Sequence, residues 1–194
     1  MNNEYLNDIA SKGAIIGALM LASHIFEQSM IMNASFGGFA IAGLEMLVVT
    51  VIYIWLQYRF AKRASERFGD NTVGFPYSRA LMYVVSVALF AGVIVGLGGY
   101  VYTHFIVGYE NYIERLVENL QQMLYQSGGN SPVMAMYENM LSTLLEQPEP
   151  GIFSTIISSM FNYMLFGGVL VGLFIAAGVK RDPKPFDSDE HEEL

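Results

Sequence analysis

The sequence contains no cysteine, so it can build no disulfide framework, no thiolate metal site and no cysteine nucleophile. It is also short of charge, with 14% of its 194 residues charged against 53% hydrophobic. A soluble domain carries about a quarter charged residues, so this shortage is a membrane pattern. Cations are the scarcer sign, ten Lys and Arg against eighteen acids for a net charge of −8. That balance excludes a basic face able to hold a nucleic-acid backbone. Catalytic strings are missing as well: there is no Gly-x-Ser-x-Gly, no Gly-Lys-Ser/Thr, and no Gly-x-Gly-x-x-Gly following a strand. The start is not patterned as a cleavable signal, because Glu4, Asp8 and Lys12 precede an apolar run that His24 and Glu27 interrupt. It reads as a first retained span.

What is present is a series of apolar segments long enough to cross a bilayer, for which about 20 helical residues are needed. Four are expected, over residues 13–32, 37–57, 79–107 and 152–179. The first, Gly13 to Met32, organises the rest. At alternating steps of four and three it places Gly13, Gly17, Met20, His24, Glu27 and Ile31 on one face. The same spacing gives Gly38, Ala42 and Glu45 in the second span, Gly92, Gly96, Gly99 and Thr103 in the third, and Gly168 and Gly172 in the fourth. Small residues let helix backbones approach, so these stripes are expected packing seams. The 33–36 connection is short enough to make the first two spans an antiparallel hairpin. Trp55, Tyr53 and Tyr58 mark a membrane interface.

Between the third and fourth spans, residues 108–147 change character. Ile113, Leu116, Leu120, Met123 and Leu124 recur at helical spacing among Glu110, Glu114 and Glu118, which predicts an amphipathic helix. Ser127 to Asn130 end it, Ser131 and Pro132 open a second such helix, and Pro148, Pro150 and Gly151 stop that one. Residues 181–194 are acidic and proline-broken, and are expected to be disordered. Nine of the ten basic residues lie in the N-terminal lead, the loop after the second span and the C-terminal flank, while the long loop holds Arg115 and six acids. The positive-inside rule then puts both termini in the cytoplasm and the helical hairpin outside it. The expected fold is all-α, a single four-span transmembrane bundle over residues 1–180 with an extracytoplasmic amphipathic hairpin.

The intramembrane polar residues are the candidate functional ones. Counted at 1.5 Å per residue, His24 and Glu45 lie about 12 Å below the outer turn, Glu27 about 8 Å and Asn162 about 15 Å. They form an expected polar layer. One reading is a site for an ion, a proton or a polar headgroup; the other is an interhelical His–Glu hydrogen-bonded lock that fixes helix register. No metal is expected, because His24-x-x-Glu27 reverses the order used in di-iron bundles and occurs once where two motifs are needed. The twelve methionines read as adaptive packing. No cofactor is implied.

The basic loop leading into Gly74-Phe75-Pro76-Tyr77-Ser78-Arg79-Ala80, the glycine-rich third span, the Glu/Gln/Met-rich insertion, and the last span with Gly168 to Gly172 before Lys180-Arg181 together resemble the DUF4199 family of Bacteroidota membrane proteins. The likeness covers most of residues 10–182. It implies four spans in the bacterial inner membrane, carries over no catalytic residue, and suggests a membrane glycosyltransferase as a partner. The expected function is that of a non-catalytic structural or accessory subunit, embedded in lipid and acting through helix contacts, as a homo-oligomer or bound to another membrane protein. The alternative is an oligomeric small transporter or channel that uses the polar layer.

Overall fold

The structure is a computed structural model and describes residues 3–32, 36–69, 74–126, 132–146 and 148–183. It is all-α. Helix α1 covers Asn3–Met32, α2 Phe36–Phe68, α3 Tyr77–Val107, α4 Tyr109–Gln126, α5 Pro132–Glu146 and α6 Ile152–Val179. Helices α1, α2, α3 and α6 are long and apolar enough to cross a membrane, and α4 and α5 lie between the third and fourth of them. The 33–35 connection, the 127–131 turn with its Ser131 cap, and the tail from 184 onward fall outside the described residues.

Two helices reach further than the apolar pattern alone indicates. The polar lead before Gly13 forms the first turns of α1, where Tyr5 and Ile9 are buried and Leu6 is exposed. Likewise α2 runs on through the basic stretch to Phe68, since Phe60, Ala61, Ala64 and Ser65 form a buried stripe among its cations. Arg67 sits in its last turn, where a cation suits the negative end of the helix dipole.

The chain forms two compact units. The first comprises Met1–Gly17, Val51–Gly92 and Met160–Leu194. Its core holds Tyr83, Phe75, Ile16, Val84 and Val87, all fully enclosed. Small residues set its helix spacing: a β-carbon on Gly13 would lie 2.5 Å from the Phe90 Cβ, one on Gly168 3.0 Å from the Val85 Cα, and one on Gly172 3.0 Å from Leu81. Gly167, also in this unit, approaches the Tyr53 hydroxyl just as closely. Polar ties join the helices. Ser65 donates to the Val179 carbonyl at 2.8 Å and the Tyr83 hydroxyl donates to Asp8 at 2.6 Å, while within α2 Gln57 donates to the Tyr53 oxygen at 3.0 Å. The Gly74 to Ala80 segment that carries the family resemblance is a built corner of this unit. Phe75 and Arg181 exchange a pair of backbone hydrogen bonds, each 2.9 Å, and the Arg79 guanidinium lies over the rings of both Tyr5 and Phe75. Gly74 has φ +68°, a left-handed conformation, and faces the Arg181 carbonyl where no side chain fits.

The second unit comprises Ala18–Thr50 and Val93–Ser159. Here α3 and α6 meet backbone to backbone, a β-carbon on Gly96 falling 2.8 Å from the Ile156 Cα. Gly98 packs on Leu21 and Gly99 on the His24 ring. Asn119 of α4 donates to the Ile31 carbonyl at 2.7 Å, satisfying one of the carbonyls that the end of α1 leaves open. Ser29 and the Tyr102 hydroxyl share a 2.9 Å hydrogen bond. Large apolar side chains such as Leu44, Leu47, Phe105 and Phe153 are exposed. Faces of this kind would be untenable against water and are matched by lipid.

Candidate functional site

His24, Glu27 and Glu45 belong to the second unit, whereas Asn162 belongs to the first and has an exposed side chain. His24 lies against Gly99, in the space that the missing side chain leaves. Among the described residues it forms no hydrogen bond or ion pair with Glu27 or Glu45. The two glutamates are near enough for their charges to interact. One Glu45 carboxyl oxygen is buried without a hydrogen-bond partner, as is the Gln28 side-chain oxygen. Of the predicted seams, Gly13, Gly96, Gly99, Gly168 and Gly172 make the close approaches given above, and Gly17 and Gly92 are buried. Ala42 is half-buried; Gly38 lies within α2, and its surroundings fall outside the described residues.

A better-formed polar arrangement surrounds His104, which the sequence marks only as a residue near the end of a span. The last part of α3, Tyr102–Val107, widens into a π-helix that stops at Gly108, whose φ of +83° turns the chain into α4. Thr103 supplies a physical cause: its hydroxyl bonds back to the Gly99 and Tyr100 carbonyls at 3.0 and 3.3 Å, competing with the regular helical ladder. The widened turn places His104 between two aromatic rings. Tyr100 stacks on it with centroids 3.8 Å apart, and Tyr109 from α4 stacks on the other face at 5.1 Å. The side chain is only 8% exposed.

The imidazole Nδ1 lies 3.1 Å from the Tyr100 carbonyl oxygen and 2.9 Å from the Thr103 hydroxyl. A nitrogen facing a carbonyl must carry the hydrogen, so in the neutral ring Nε2 is the acceptor. That atom sits 3.4 Å from Glu149 Oε1, off the axis of a hydrogen bond. A neutral ring therefore turns a lone pair toward the carboxylate, and a protonated ring turns an N–H toward it. The arrangement sets an imidazole nitrogen of α3 against a carboxylate of the segment that leads into α6. Burial and then the Glu149 charge push the Tyr109 phenol up, and burial raises Tyr112 against the opposing effect of its hydrogen bond to Gln28. A Tyr-x-x-x-His pair one helical turn apart could have signalled the stack. Nothing in the spacing places Glu149, forty-five positions along, beside the ring.

Among the described residues no group of three His, Cys, Asp or Glu side chains is placed to hold a metal ion. Four apolar helices of membrane-crossing length, with exposed apolar faces and internal polar ties, define a multi-pass α-helical membrane protein. The chain belongs to the DUF4199 family, whose model, described as a protein of unknown function, matches residues 12–181. No curated protein and no solved structure matches it.

Proposed function

We propose that this protein is a non-catalytic structural or accessory subunit of the bacterial inner membrane, working through helix contacts as a homo-oligomer or on a partner membrane enzyme such as a glycosyltransferase. The observation that carries the reading is where the polar side chains are spent. Asp8, Tyr83, Ser65, Ser29 and Asn119 end on groups of neighbouring helices, which fixes helix register. On α6, Phe153, Ile157 and Phe161 form an exposed row at four-residue spacing, a ridge suited to a groove on another helix. The bias of basic residues supports cytoplasmic termini with α4 and α5 on the outer side. Native mass spectrometry of the protein extracted gently from its own membrane tests the proposal. It should give a fixed stoichiometry with a second membrane protein or a discrete homo-oligomer; a uniform monomer would refute it.

A second reading, transport, is favoured by one observation, the buried and unpartnered oxygens of Glu45 and Gln28 beside Glu27. Intramembrane carboxyl groups with open hydrogen-bonding capacity serve ion and proton pathways. Transport predicts flux into liposomes that Glu45→Gln abolishes; the subunit reading predicts none under any imposed gradient.

A further inference from the structure

The first unit contains an open cleft of 380 Å³ whose lining includes Lys12 of α1 and Arg63 and Arg67 of α2. Its two acids are already engaged. Asp8 accepts from the Tyr83 hydroxyl and lies 3.9 Å from Lys12, and Glu66 pairs with Arg181 at 3.6 Å. Arg67 reaches Glu4 at 3.7 Å, but both side chains are well exposed, and such a pair yields readily to a better anion. Among the described residues Arg63 forms no ion pair. The cleft thus offers an uncommitted guanidinium, with a second cation loosely held, beside an apolar surface made by the half-buried Phe68.

Depth narrows what could fill it. On α2, exposed Trp55 carries the Arg59 guanidinium over its ring at 5.0 Å, a pairing of interfacial aromatic and cation. Arg63 follows Arg59 by one helical turn, about 6 Å further along. On α1, Lys12 is the last charge before the apolar run and packs its ammonium 5.4 Å from the Phe60 ring. Both helices therefore put the cleft where hydrocarbon gives way to headgroups.

We propose that this cleft binds a phosphate-bearing anion, supplied at this depth by the headgroup of an anionic phospholipid. A guanidinium matches phosphate oxygens two at a time, and the apolar surface meets the glycerol and upper chain carbons. The test is native mass spectrometry of the full chain released from neutral detergent micelles containing phosphatidylglycerol or phosphatidylcholine, with glycerol phosphate added in a parallel series. One phosphatidylglycerol should be retained in preference to phosphatidylcholine, and glycerol phosphate should not displace it. Arg63→Gln should weaken that retention about fivefold, the loss expected for one basic residue near a membrane surface. Arg63→Lys, which keeps the charge but not the paired donors, should recover only part of it, and Lys62→Gln, whose side chain is exposed and outside the cleft lining, should keep all of it. Equal retention of the two lipids, or equal loss from the Arg63→Gln and Lys62→Gln variants, would overturn the site. Displacement by glycerol phosphate would overturn the lipid as its source.

Discussion

Gly74 and Gly108 share a positive φ but not the same surroundings, which separates two costs usually measured together. At φ +68°, Gly74 faces the Arg181 carbonyl and the backbone of residues 182 and 183, whereas Gly108, at φ +83°, has only the Asn111 Cβ nearby, at 4.0 Å. A side chain at such a positive φ costs about 1–3 kcal/mol from backbone sterics alone. Gly108→Ala should lose about that much in detergent unfolding, and Gly74→Ala should lose more, because the Phe75–Arg181 bridge must also give way. Equal losses would mean that the bridge adapts freely. The sequence shows that Gly74 stands at the mouth of a span, but its contact partner lies more than a hundred positions away. The same limit applies at His104, whose Tyr100 neighbour can be read from spacing and whose Glu149 neighbour cannot.

Among the elements, α3 is the most enclosed of the four candidate spans: half of its most apolar window is buried, against 22–28% for the others. Its glycines explain why. The stripe Gly92, Gly96, Gly99 is visible as a small-residue pattern, but only the packing shows which helix each glycine meets: Ile156 of α6 at Gly96, and His24 of α1 at Gly99. Gly43 on α2 faces open space. Gly96→Leu should therefore destabilise the protein by about 1–3 kcal/mol, as overpacking does, while Gly43→Leu should be close to neutral. Unfolding of both variants in mixed micelles checks the contrast, and similar losses would show that approach distance does not govern these positions. The amphipathic pattern of residues 109–126 was legible for a different reason: its apolar positions recur at a period that only a one-sided helix satisfies.

For the whole molecule, the lack of cysteine gives an unusually clean test of orientation. Single cysteines at Lys62 and Ser142, both exposed, can be probed without background. With cytoplasmic termini, a membrane-impermeant maleimide applied to spheroplasts should label Ser142→Cys and spare Lys62→Cys until the membrane is opened; the reverse pattern would invert the topology. By itself the sequence determined the helical class, the four apolar spans and the two short helices between the third and fourth, because hydrophobic length and period are local properties that a lipid solvent reads directly. Only the tertiary structure decided the helical lead of α1, the corner at Gly74, and the pairing of Tyr83 with Asp8. It also built the aromatic stack around His104. These depend on which faces meet and at what distance, and in lipid that is set by close packing between residues far apart in the chain.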